Sequence, residues 1–221
     1  MDAAVVVAVI ALVGALANVG VTYWLNVRSE KRRAAEKSEL MWSQYRASLG
    51  VAAFELSARI ENILRHRFLD AYGHGGAEVQ KDEAILGTLF RFAQYFGWGE
   101  IIRRSARAPD PRHAAEARAL AAAVGEVAGM FSTDMYGAGA FMVWREAQRA
   151  IGEVMIRRDG EVIDTLGVVG FVAEWESLRP WLHRMRRLLD TTPPADWDEG
   201  ERSRLDAVES GLKDIVEMTS A

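Results

Sequence analysis

Residues 41–72 read "MWSQYRASLGVAAFELSARIENILRHRFLDAY". Met41 or Trp42, Tyr45, Leu49, Ala52, Leu56, Ile60, Ile63 and Phe68 recur at three-and-four spacing with polar residues between them. That is the period of an α-helix with one apolar stripe. No proline interrupts the chain before Pro109, so the spacing predicts one long helix ending near Tyr72. The stripe could pair with a second copy as a coiled coil, but Arg59 falls at a core position and Gly50 weakens the middle. Packing against the chain's own helices is the stronger expectation.

Toward the N-terminus, Ala3 to Val27 carries no charged residue; Asn18, Thr22, Tyr23, Trp24 and Asn26 add its side-chain polar atoms. At about 1.5 Å per residue this run exceeds the ~30 Å hydrocarbon core, and it reads as a membrane-spanning helix. A cleaved signal peptide fits less well, because the n-region has Asp2 and no basic residue, and the apolar run continues past Ala15–Ala17. Arg28, Lys31, Arg32, Arg33 and Lys37 follow at once, against Glu30 and Glu36. Their positive charge predicts that the bulk of the chain faces the cytoplasm, as a single-pass inner-membrane protein, and these five side chains are the candidates for lipid-headgroup contact. Tyr23 and Trp24 stand where an interfacial aromatic belt belongs. Small residues from Ala4 to Gly20 and the polar Asn18 would permit helix–helix contact in the bilayer, a weak signal in an alanine-rich span.

The chain has 221 residues, half of them apolar, enough for one folded unit with appendages. The formal charge is −4; with a local +3 in the basic flank, the remainder carries −7, which argues against nucleic-acid binding. Cysteine is absent, which excludes disulfides, thiolate metal sites and a cysteine nucleophile. The 23 arginines against 4 lysines suggest a GC-rich, bacterial coding bias.

After a glycine-marked loop at 73–78, a second helix is expected from a cap near Asp82 to about Arg104, dense in aromatics around "QYFGWG". Asp110 and Pro111 read as the start of an alanine-rich helix running to about Phe131. Asp159-Gly160 reads as a hairpin turn between 154–158 and 161–163. A further helix over about 171–189 has Pro180 as a kink or a new start, and its Arg184, Arg186 and Arg187 suit a helix C-terminus. Beyond a linker-like "DTTPPADWDEGE", Leu205, Val208, Leu212 and Ile215 mark a final amphipathic helix. The expected architecture is mainly α: a transmembrane anchor (1–27), a basic flank with a long juxtamembrane helix (28–72), a helical bundle-like domain (73–190) with one small β-hairpin near 154–165, and a linker with a C-terminal helix (191–221).

No phosphate loop, nucleophile elbow or zinc-protease motif occurs, and the acidic "DWDEGE" lacks calcium-loop spacing. His113 and Glu116 lack the facing partners a bundle metal site requires, so neither a metal nor another cofactor is expected. One polar constellation remains, "FMVWREAQRAIGEVMI" at Phe141–Ile156. Read as a helix, it puts Phe141, Trp144, Ile151 and Met155 on one stripe with Gln148 inside it. Arg145, Arg149 and Glu153, with Glu146, fall elsewhere at salt-bridge spacing. Arg145, Glu146, Gln148, Arg149 and Glu153 are therefore the candidate polar cluster, with Tyr95 and Trp98 as candidate neighbours. The alternatives are a ligand cleft, a general base at Glu146 or Glu153, or a salt-bridged structural face.

"RIENI" (Arg59–Ile63), "QYFGW" (Gln94–Trp98) and "QRAIGE" (Gln148–Glu153), behind one N-terminal span, resemble an uncharacterised group of bacterial membrane-anchored helical proteins. The resemblance covers roughly Glu55 to Trp175. It implies placement and fold class rather than chemistry, and it implies that the three runs meet. The leading expectation is a cytoplasm-facing helical module at the membrane that binds a protein partner, another copy or a small ligand. The alternative is a membrane-tethered enzyme or ligand-binding effector using residues 144–153.

Overall fold

The computed structural model describes residues 3–107, 109–160 and 162–220, with side chains described from Trp24 onward apart from Leu25. The chain forms two units, Met1–Ser43 and Gln44–Ala221. The long helix α1 (Ala3–Leu64) contributes to both.

In the first unit, Arg28, Lys31, Arg32, Arg33 and Lys37 are all exposed, and the Arg28 guanidinium lies 5.0 Å from the centre of the Trp24 ring. Among the described residues no helix is long and apolar enough to cross a membrane. Most side chains of the expected span at 1–27 lie outside the described residues.

The second unit is helical, with one two-stranded hairpin. Its other elements are α2 (Glu78–Ser105), α3 (Ala114–Ser132), α4 (Arg145–Met155), β1 (Ile156–Asp159), β2 (Val162–Thr165), α5 (Val168–Ala173), α6 (Trp175–Thr191) and α7 (Glu199–Ser220). The stripe on α1 is buried as far as Ile63, with Tyr45, Leu49, Ala52, Leu56, Ile60 and Ile63 in the core, but the helix ends at Leu64 rather than near Tyr72: Arg67 takes a φ of +56°, and Leu69–His74 forms a separate π-helical turn that leaves Phe68 half-buried. The stripe packs within the unit, and Tyr45 meets Trp98 of α2 with ring centroids 6.2 Å apart. α2 is the central helix, buried from Phe92 to Ile102 except at Gln94. Phe92 stacks on Phe141 at 5.8 Å and meets Phe131 edge-on at 5.9 Å; Phe141 continues the cluster to Trp197 at 5.1 Å. The linker-like stretch before α7 thus drives an indole into the core.

Two glycines set the distance between α2 and its neighbours. A Cβ on Gly152 of α4 would lie 2.7 Å from the Phe96 carbonyl oxygen, and one on Gly97 would lie 2.8 Å from Thr165 Cγ2. Both positions require the missing side chain for close approach rather than for an unusual dihedral.

Several boundaries differ from expectation. α2 starts at Glu78 rather than near Asp82, because Gln80 Oε1 accepts the Ala77 N–H at 3.2 Å and supplies the cap. Asp110 does accept the Arg112 N–H at 3.0 Å, but that bond closes a turn, and α3 begins at Ala114. The hairpin sits two residues or less from its expected place, pairing Ile156 with Thr165 and Asp159 with Val162; Gly160 takes the positive φ of +59° that its turn needs. Its neighbour Glu161 is outside the described residues. The break expected at Pro180 falls at Glu174, between α5 and α6, and Pro180 lies inside α6. The arginines of α6 do not serve its C-terminus. Arg184 donates to the Ala138 and Gly139 carbonyls, and Arg186 lies over Trp175 at 4.9 Å.

The segment 133–144 has little regular structure, and three charged side chains satisfy its backbone. Arg204 of α7, fully buried, donates to the carbonyls of Met130 (2.9 Å), Phe131 (3.0 Å), Thr133 (2.8 Å) and Gly137 (2.6 Å). Glu201 accepts the N–H groups of Ala140 and Phe141. Arg184 contributes the third set. In this way α7 closes the C-terminal end of α3, whose last carbonyls have no intrahelical donor.

Candidate functional site

The candidate cluster was read on a helix beginning at Phe141. The helix begins at Arg145 instead, because Phe141–Trp144 is the end of the irregular segment, tied to α3 by Val143 N–H to Phe131 O at 3.0 Å. This changes the face that each residue presents. Ile151 and Met155 are buried as expected, Phe141 is buried from the loop, and Trp144 is 57% exposed rather than part of a buried stripe.

Gln148 is the residue the cleft is built around. It is 6% exposed, and its Nε2 donates to Val143 O at 2.7 Å and to Ala128 O at 3.0 Å. Both amide hydrogens are used, so a glutamine on an apolar stripe is paired rather than stranded. The bonds join α4 to the C-terminal part of α3 and to its own approach segment.

The expected intrahelical ladder does not form. Among the described residues no ion pair links Arg145, Glu146, Arg149 and Glu153 to one another. Glu153 pairs instead with Arg104 of α2 at 2.9 Å, and Arg145 Nη2 donates to Gly125 O at 3.2 Å. Glu146 is exposed and stands apart from the cleft. Exposed intrahelical pairs are worth only a few tenths of a kcal/mol, and contacts to neighbouring helices win easily.

Between α2, α3 and α4 lies a small open cleft with room for about 80 Å³. The walls come from Tyr95, Phe96, Gly99, Glu100 and Arg103 of α2, from Ala121, Val124, Gly125 and Ala128 of α3, and from Arg145, Gln148 and Arg149 of α4. Small residues on α3 keep it open: a Cβ on Gly125 would meet nothing within 4 Å. Trp98, expected as a neighbour, turns the other way toward Tyr45.

Glu100, the carboxylate in the lining, is 4% exposed. Arg103 reaches it through Nε at 2.6 Å and through Nη2, and Arg104 Nε reaches it at 2.6 Å. Burial pushes its carboxyl up, but the bonds and charges of the two arginines outweigh that and hold it below the ordinary range. Tyr95 is 2% exposed, its hydroxyl finds no partner, and burial pushes its pKa far above the ordinary phenol value. Arg149 has no acidic partner among the described residues, and Arg145 has only a carbonyl.

Two of the three runs behind the resemblance meet here, since Gly152 seats against Phe96 and Gln148 shares the cleft with Tyr95. The third, on α1, lies beside an earlier part of α2, where Arg59 borders Gly87 and Glu55 pairs with Arg91. Glu100 and Arg103 were missed in the sequence. Nothing in "GEIIRRS" distinguishes a buried carboxylate clamped by two arginines from an ordinary helix end. Glu116 of the discarded metal pair bonds Arg46 at 2.9 Å, and among the described residues no group of three or more acidic or histidine side chains could hold a metal. No known protein family, curated protein or solved structure matches the chain.

Proposed function

We propose that the protein is a membrane-anchored helical module, its Gln44–Ala221 unit facing the cytoplasm, and that it works by binding a small ligand in the α2–α3–α4 cleft. The observation carrying this reading is the cleft itself: a small concavity with room for about 80 Å³, short of a drug-sized site, with an apolar floor and a few convergent polar groups. Placement at the membrane rests on the uncharged run at 3–27 and the five exposed basic residues behind it. The same features support membership of the bacterial membrane-anchored group that the chain resembles.

Binding is favoured over catalysis because Glu100 is already neutralised by two guanidinium groups, which leaves it a poor proton acceptor. Neither Glu146 nor Glu153, the two candidate bases of the sequence, lines the cleft.

The experiment is a thermal-shift screen of small molecules against the full-length protein in zwitterionic nanodiscs, run in parallel on Gly125→Leu. Compounds that stabilise the wild type and lose their effect in the filled-cleft variant support the reading. Stabilising compounds that act equally on both proteins contradict it.

A further inference from the structure

The charges around the cleft are unbalanced. Arg103, Arg145 and Arg149 face it with Glu100 alone opposing them, and Glu100 is bound by Arg103 and by Arg104 from outside the lining. Arg103 is therefore neutralised. Arg145 and Arg149 are not, since the first meets only the Gly125 carbonyl and the second meets no acidic group among the described residues. Both sit on successive turns of α4 at one rim. Tyr95 also lines the cleft, but its hydroxyl is buried, without a partner and closed off from solvent. The floor is Phe96, Val124, Ala121 and Ala128.

Two exposed guanidinium groups one turn apart, neither paired with a carboxylate among the described residues, suit an oxygen acceptor carrying negative charge. The floor calls for carbon. We infer that the cleft takes an amphipathic oxyanion, a carboxylate or phosphate head on a short apolar body, with the head at Arg145 and Arg149 and the body over Phe96 and Val124. The inference rests on the cleft being the binding site. A basic depression on α6, lined by Arg179, Arg186 and Arg187, is the natural comparison; it is larger but more open, Trp175 covers Arg186, and Glu176 pairs with Arg179 at 3.1 Å.

The test is calorimetric titration of the full-length protein in phosphatidylcholine nanodiscs with phenyl phosphate, 4-phenylbutyrate and the neutral benzyl alcohol. At least one anion is expected to bind saturably at no worse than about 1 mM and at least about tenfold more tightly than the alcohol. Arg149→Glu is expected to weaken anion binding at least about tenfold, and Gly125→Leu to abolish it. Arg149 makes no contact the fold relies on and the Gly125 position is open, so both variants should fold. Replacing part of the lipid with phosphatidylglycerol separates the two sources of such an anion. Competition with phenyl phosphate assigns the head group to a lipid, and no competition assigns it to a soluble metabolite; either result upholds the oxyanion.

Two results overturn the inference. If benzyl alcohol binds as tightly as the anions and Gly125→Leu blocks it, the cleft remains a site but not an anion site. If no probe binds in any nanodisc, the anion inference fails; the cleft reading then stands or falls on the separate screen.

Discussion

Gln148 Nε2 lies 3.0 Å from the carbonyl oxygen of Ala128, the bond by which a single glutamine joins α4 to α3, and it also donates to Val143 O in the approach to α4. Replacing it with Leu keeps the volume and leaves both carbonyls without this donor. The expected cost is about 1–3 kcal/mol, read as a lowered urea midpoint with an unchanged slope. A neutral substitution would mean that water replaces the amide and that the pairing is incidental.

Gly152 and Gly125 should respond to alanine in opposite directions. At Gly152 the new methyl meets the Phe96 backbone, which cannot yield as a side-chain tip can, so the expected loss is about 1–3 kcal/mol. At Gly125 it meets nothing, and restricting the unfolded chain in mid-helix should add about 0.5–1 kcal/mol. Thermal unfolding of the two variants beside the wild type checks the pair.

Arg204→Met should be among the most destabilising single changes, because four carbonyls at the end of α3 and in the following segment lose their donor. A loss of about 3–5 kcal/mol is expected, with Arg204→Lys only a partial rescue since an ammonium cannot span the same acceptors. Near-wild-type stability of Arg204→Met by chemical denaturation would show that segment 133–144 does not depend on α7.

Acid sensitivity should trace in part to Glu209. Burial pushes its carboxyl up, but the bonds from Lys213 and Arg65 outweigh this and lower it. A folded-state value below the unfolded one of about 4.3 stabilises the fold at neutral pH; that contribution is lost as pH falls through the folded value. Glu209→Gln should therefore lower stability at about pH 7 while the gap to the wild type narrows toward about pH 3. A gap independent of pH would contradict the assignment.

The anchor predicts that the chain stays in the pellet after alkaline carbonate extraction. A C-terminal tag should resist external protease on spheroplasts. Changing Arg28, Lys31, Arg32, Arg33 and Lys37 to Gln should remove up to about 1 kcal/mol each of attraction to an anionic leaflet and scramble that orientation. A fully extractable chain would refute the anchor.

The periodic parts of the fold were legible because burial and helical period coincide: the α1 stripe, the aromatic density of α2 and the apolar face of α7 all lie where spacing put them. What was not legible is where charge goes inward. Glu201, Arg204 and Glu209 occupy α7 among solvent-facing charges in the sequence, yet each is buried against a partner 60 or more residues away. The same holds for the cleft. Gln148 announced itself by standing in an apolar stripe, whereas Glu100 and Arg103 needed the fold to bring α3 and α4 beside them. Arg145 and Glu153 looked like a self-contained ladder only because a sequence shows a helix its own residues and not its neighbours.

The central claim, that Arg145 and Arg149 hold an oxyanion over the α2–α3–α4 cleft, is tested most directly by the arginine Nε–H resonances of the full-length chain titrated with phenyl phosphate. Saturable shifts confined to Arg103, Arg145 and Arg149, and lost in Gly125→Leu, are the predicted result; weak, non-saturating shifts shared equally with Arg179, Arg186 and Arg187 of α6 would contradict it.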